Sequence, residues 1–261
     1  MGNTLYKEAT DQFLRLLEIM DQLRSECPWD KKQNNESLRS LTIEETFELS
    51  EAILENDVKE IKNELGDLIL HIVFYSKIGS ESNDFNIKDV ISDICDKLIF
   101  RHPHIYGDTT VKDAEEVKRN WEKLKLKEGR KSVLAGVPKG LTGLLKSYRL
   151  QEKAAGVGFD WKRKEDVWEK VQEELLEWKQ AMETDKKEDI EEELGDLLFS
   201  IVNYARFLNI NPDDALERTN IKFIKRFQFI EKQAKEMDSS IDELSFEEME
   251  AFYQESKKKE L

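Results

Sequence analysis

The sequence predicts an all-α protein built as two tandem helical bundles, and three observations carry that prediction. Apolar residues recur at helical spacing almost throughout the 261 residues, with no convincing two-residue alternation. Only four prolines and eleven glycines interrupt the pattern. One stretch also occurs twice: EETFELSEAILENDVKEIKNELGDLI (44–69) returns as EELLEWKQAMETDKKEDIEEELGDLL (173–198). The two match at 10 of 26 positions without a gap.

Taken in order, Phe13, Leu16, Leu17, Met20 and Leu23 mark a first helix over about 4–25. Further helices are expected near 36–55, 57–79, 86–101 and 113–128. Six of the eleven glycines and Pro138 fall in 129–158, so GRKSVLAGVPKG reads as a connection. The expected domains are 1–128 and 148–261, joined by a 129–147 linker. Helices resume near 141–155, 165–184, 187–209, 212–237 and 245–258, and the SKKKEL tail reads as a frayed end.

Charge excludes some partners. A formal charge of −15 would repel a nucleic-acid backbone, so none is expected. No run of about 18 apolar residues suggests a membrane span, and MGNTLYKEATDQF has no apolar segment of the secretory type. Cys27 and Cys95, few and far apart, read as reduced thiols of a cytoplasmic protein. Such acidity admits a small anionic ligand where divalent cations bridge the two.

The repeated stretch holds four acids in register: Glu45 with Glu174, Glu48 with Glu177, Glu64 with Glu193 and Asp67 with Asp196, each offset by 129 residues. Glu174 and Glu177 share one helix face at i,i+3, as do Glu193 and Asp196 on the next helix. The short polar METDKKED connection makes the two helices antiparallel neighbours, so the pairs meet. Four clustered carboxylates repel one another unless a cation lies between them. An all-oxygen set suits Mg²⁺, with Mn²⁺ as the alternative ion. One EExxE helix is more often a solvated face, but a duplicated hairpin kept only for structure would lose its acids before its core. Gly66 and Gly195, at the same register, are expected to permit close helix packing that offsets their cost of about 1 kcal/mol each.

Other residues are less specific. His71, opposite Ser200 in the alignment, reads as core or as a support behind the acids. With only three histidines, no pair of Glu-x-x-His motifs for a di-iron site exists. Trp29 in CPWDKK and Trp161 in GFDWKRK either stack on a base or anchor their loops. Lys97/Arg101 and Lys222/Arg226 are basic pairs at i,i+4; the second, beside Phe223 and Phe227, suits a partly buried edge that clamps phosphates.

The EExxE…ExxD pair, the CPWD loop, FRHPHIYGD (100–108), VGFDW (157–161) and the tandem copy together resemble the MazG family of all-α NTP pyrophosphatases. The likeness runs from about Leu14 through the last helix. It implies a homodimer of helical bundles that hydrolyses nucleoside triphosphates to monophosphate and pyrophosphate with Mg²⁺, over a broad base range. Carried over, metal falls to Glu174, Glu177, Glu193 and Asp196, and in the first copy to Glu45, Glu48, Glu64 and Asp67. Lys170, Glu173, Glu192, Asp196, Lys222, Arg226 and Tyr253 fall at nucleotide-contacting positions, and Glu173 or Glu177 would handle the proton of an attacking water. Two positions depart from the family: Asp189 stands where a basic residue is common, with Lys186 or Lys187 as substitutes, and Tyr253 stands for Trp. Rival readings are a narrower dUTP, dCTP or phosphoribosyl-ATP pyrophosphohydrolase, and a non-catalytic dimeric nucleotide sensor.

The copies are unequal. Glu192 and Glu191 face Asn63 and Lys62, and Lys170 faces Leu41. Lys62 is expected to weaken divalent binding in the first copy. The second copy is therefore expected to carry most turnover.

Overall fold

A computed structural model describes the chain except residues 1, 115, 118, 119, 122, 123, 125–131, 260 and 261. It divides into two compact units, Met1–Thr110 and Val111–Leu261. The first contains α1 (Gly2–Glu26), a 3₁₀ turn (Asp30–Lys32), α2 (Asn35–Glu55), α3 (Val58–Glu81), α4 (Ile87–Arg101) and the short α5 (Pro103–Tyr106). The second contains α6 (Gly143–Gly156), α7 (Lys164–Thr184), α8 (Lys187–Phe207), α9 (Pro212–Glu236), a 3₁₀ turn (Ile241–Glu243) and α10 (Phe246–Lys258). No strand occurs among the described residues, and no helix among them is long and apolar enough to cross a membrane. The helix expected over 113–128 lies largely outside the described residues. The last five residues of the expected 129–147 connection, 143–147, are already helical, as the start of α6.

Local chemistry explains the helix ends. Asn34 and Asn86 cap α2 and α4 through capping boxes, and Asp57 accepts from the amides of Lys59 and Glu60 at the start of α3. The two acidic helices stop alike. Asn56 ends α2 and Asp185 ends α7 in the left-handed region (φ 58° and 55°), which short polar side chains tolerate. Each stop turns the chain straight into the next helix, so α2 packs on α3 and α7 on α8.

In the first unit α1 also lies on α3, and the core is Met20, Leu38, Val73 and Phe74, ringed by Leu17, Leu41, Leu70 and Ile78. In the second unit α6 takes the place beside α8, with Val167, Val171, Leu197 and Val202 buried. A separate small core, Ile230, Ala234 and Leu244, joins α9 to α10 with Phe252 and Tyr253.

Two expectations from sequence fail here. A Cβ at Gly66 or Gly195 would meet no described atom within 4 Å, so neither glycine sits at a close helix crossing within its unit. Of the two readings of the tryptophans, base stacking or loop anchoring, the second fails: Trp29 is 55% exposed and Trp161 47%. Arginines do this work. Arg24 donates to the carbonyls of Asp30 and Gln33 while pairing with Glu81. Arg206 pairs with Asp160 through both guanidinium ends and also donates to Asn203. A planar five-donor group can bind loop and helix at once, which an indole cannot.

Candidate metal and nucleotide site

The acids of each repeat converge. On α2 and α3, Glu45, Glu48 and Glu64 each offer a carboxylate oxygen within 4.8 Å of the others; on α7 and α8, Glu174, Glu177 and Glu193 do the same. Helical spacing aims each pair along one face, and the tight α2–α3 and α7–α8 connections bring those faces together. Asp67 and Asp196 stand outside these groups of three, though their charge reaches them: Asp67 acts on Glu45 and Glu64, and Asp196 on Glu193.

Repulsion and burial leave a signature. Burial, then the charges of Glu177, Glu174 and Asp196, holds the Glu193 carboxyl above the usual carboxylate range. Burial, then Asp67 and Glu48, raises Glu45; burial, then Glu48, raises Glu64. The Glu64 Oε2 atom is buried with no hydrogen-bond partner among the described residues.

The second unit relieves its charge differently. Lys170 Nζ lies 2.7 Å from Glu174 Oε1 and 2.8 Å from Glu173 Oε1, which raises the lysine pKa. Glu174 is buried, while Glu173, Glu192 and Asp196 are exposed. At the position equivalent to Lys170, Leu41 packs against the first core. The cation in contact with a carboxylate group is therefore in the second unit, whereas Lys62 is exposed.

The remaining candidates lie elsewhere. Lys222 and Arg226 are on α9. Lys222 is exposed, and Arg226 sits over the Tyr253 ring at 5.7 Å from its centroid, so the tyrosine braces the arginine as well as the α9–α10 core. Phe223 and Phe227 stack at 6.0 Å. No hydrogen bond or ion pair among the described residues joins Lys222 or Tyr253 to the acids. Lys186 Nζ comes 3.8 Å from Asp189. His71 is buried behind Asp67, its Nδ1 2.7 Å from Thr42 Oγ1, which also meets Tyr75 OH at 2.7 Å. Burial lowers the His71 pKa, against the opposing pull of Asp67.

Raised carboxylate pKa values have a stability consequence. A native state that holds protons more tightly than the unfolded chain loses stability as pH rises through the raised values. Metal-free protein should therefore melt lower at pH 8 than at pH 5 through Glu45, Glu64 and Glu193, and Mg²⁺ should raise the melting temperature much more at pH 8. Thermal melts with chelator and with Mg²⁺ at both pH values test this; an equal Mg²⁺ shift at both would refute it.

An all-α bundle carrying paired, mutually repelling carboxylates, with a lysine against one group, defines a class of protein suited to divalent cations and phosphate esters. The chain belongs to the MazG nucleotide pyrophosphohydrolase family, whose domain matches residues 33–106 and again 163–229. It is 42% identical over 256 residues to the nucleoside triphosphate pyrophosphohydrolase/pyrophosphatase MazG of Thermotoga maritima, covering 96% of this chain and 98% of that one. It is 36% identical over 262 residues to the nucleoside triphosphate pyrophosphohydrolase of Escherichia coli K12, covering 96% and 99%. A protein of the same name from Mycobacterium tuberculosis is 31% identical over 57% of this chain and 46% of its own length.

Proposed function

We propose that the chain hydrolyses nucleoside triphosphates to nucleoside monophosphate and pyrophosphate, over a broad base range, with most turnover in the second unit. The observation that carries this is the convergence of Glu174, Glu177 and Glu193 beside Lys170 in a chain of this family. The donor set fits Mg²⁺ or Mn²⁺: oxygens only, close enough to share an ion, with the Glu193 carboxyl raised by burial and by its carboxylate neighbours. The equivalent first-unit group, with its unpartnered Glu64 oxygen, fits as well. Glu174, Glu177, Glu193 and Asp196 would hold the ion. Bound there, it supplies charge neutralisation at the α-phosphate and acidifies water.

The chain's own residues do the rest. Glu173 and Glu177 flank buried Glu174 on α7, and either can take the proton of the attacking water. Lys170 pairs with Glu174 and is suited to exchange that contact for a phosphate oxygen. Lys222 and Arg226 are suited to the charge that builds on departing pyrophosphate, with Tyr253 and Glu192 as nucleotide contacts. The experiment is pyrophosphate release over a panel of NTPs and dNTPs: chelator should abolish it and Mg²⁺ or Mn²⁺ restore it. Arg226→Ala should lower nucleotide turnover about tenfold or more while leaving metal affinity, measured by calorimetry, unchanged. Full activity after chelation would overturn the reading.

We infer a homodimer as well. Leu65, Ile69 and Ile72 on α3 and Leu194, Leu198 and Ile201 on α8 are exposed at the same register, one apolar row on each unit. Soluble monomers seldom leave such rows bare. Gly66 and Gly195, one position on from Leu65 and Leu194, are also exposed with open space above them, which suits the close approach of a second copy.

A further inference from the structure

The second unit contains a cavity of about 720 Å³ that the site described above does not use. It lies on the α6 side of α8, lined by Leu150, Gln151, Phe159, Trp161, Phe199, Asn203 and Arg206 among others. Phe199, Asn203 and Arg206 follow one another at i, i+4 and i+7 along α8. At about 100° per residue that row is roughly a quarter turn from the row of Glu193 and Asp196. The cavity therefore opens on a different helix face from the acids.

Its polar chemistry is unfinished at one point. Gln151 is 7% exposed; its Nε2 donates to the Phe199 carbonyl at 2.9 Å, and its Oε1 is buried with no partner among the described residues. A buried acceptor left bare costs about 1–3 kcal/mol, so its presence against a cavity calls for a donor from outside. The Arg206 charge is already matched by Asp160, so the pocket selects a neutral ligand over an anion.

The repeat shows how the cavity's wall differs from the first copy. Val73 and Val202 are equivalent and both buried, which fixes the register of α3 against α8. One residue on, Phe74 is 3% exposed and fills the first core, while its counterpart Asn203 lines the cavity. One core aromatic is thus replaced by an amide that can donate and accept.

We propose that this cavity binds a neutral planar nitrogen heterocycle of the nucleobase class, stacked among Phe159, Trp161 and Phe199 with a ring or amino N–H donated to Gln151 Oε1. Aromatic walls, convergent amides and a balanced ion pair are the features that recognise a base rather than its phosphates. The volume accommodates a nucleoside. Two sources share this chemistry: the base of the substrate itself, or a separate nucleoside acting as effector.

The test uses the full chain with chelator present and adenosine, guanosine, cytidine and uridine as probes, binding read by saturation-transfer NMR. At least one should bind, and Asn203→Phe, which restores the first copy's residue, should abolish it. Gln151→Met, which keeps the shape and removes the acceptor, should weaken it about tenfold or more. If the substrate's base is the occupant, Asn203→Phe raises KM for the triphosphate at unchanged kcat. If a separate nucleoside is the occupant, KM is unchanged and the nucleoside's effect on the wild-type rate disappears. No binding by any of the four, or equal binding to wild type and both variants, overturns the proposal whether or not the chain hydrolyses triphosphates.

Discussion

Glu174→Ala/Glu177→Ala is expected to lower monophosphate release by about 10²–10³-fold or more, whereas Glu45→Ala/Glu48→Ala should leave it within about twofold. Both pairs remove carboxylates from equivalent groups of three. The difference lies in what surrounds them. Lys170 touches Glu174 and Glu173 in the second unit, and its counterpart Leu41 is committed to the first core. Glu192 likewise faces Asn63, an amide that cannot hold a proton-accepting charge at neutral pH. A group with acids but no adjacent cation is suited to hold an ion and poorly suited to hold a triphosphate. The same variants should part in stability. Without metal, Glu45→Ala/Glu48→Ala relieves the repulsion that adds to burial in raising Glu64, so its melting temperature should rise. Glu174→Ala instead takes from Lys170 its buried partner. Circular dichroism shows whether each variant keeps its helices, and pyrophosphate release gives the rates. If the first-unit pair silences the enzyme and the second-unit pair leaves it near normal, the assignment is reversed.

Ile69→Glu combined with Leu198→Glu should convert the chain from dimer to monomer at micromolar concentration, and turnover should fall with it. Each change places a charge in the middle of an exposed apolar row. In a free monomer this costs almost nothing, because surface charge on a helix is well hydrated. At an interface it must be desolvated without a partner, at a cost of several kcal/mol per site. Two such sites should weaken association by at least about 10³-fold. Analytical ultracentrifugation reads the state directly. Wild-type protein that sediments as a monomer at tens of micromolar would refute the dimer and leave the apolar rows without this explanation.

Much of this molecule was legible before any coordinates. Helix spacing placed α1 to α4 and α6 to α10 to within about three residues, because backbone bonding four residues apart and side-chain periodicity are local properties. The short 3₁₀ turns and α5 were missed, as three or four residues carry no period to read. The acid register also followed from sequence, since a two-residue stop at 185–186 leaves α7 and α8 no option but to face each other. The 129-residue offset, carried only five positions further, would have set Asn203 against Phe74 and flagged the cavity.

What the sequence alone determined is the succession of helices, the duplication and the pairing of carboxylates within each hairpin. The tertiary structure decided which neighbour each exposed face meets. Glycines read as packing points face open space within their units, the tryptophans, open to two readings, are half exposed, and two arginines tie the loops down. The physical reason is range. A helix and its turn are set by residues within about one turn of each other, whereas burial, the bare oxygen of Gln151 and the lysine against Glu174 depend on whether a second helix arrives at that face.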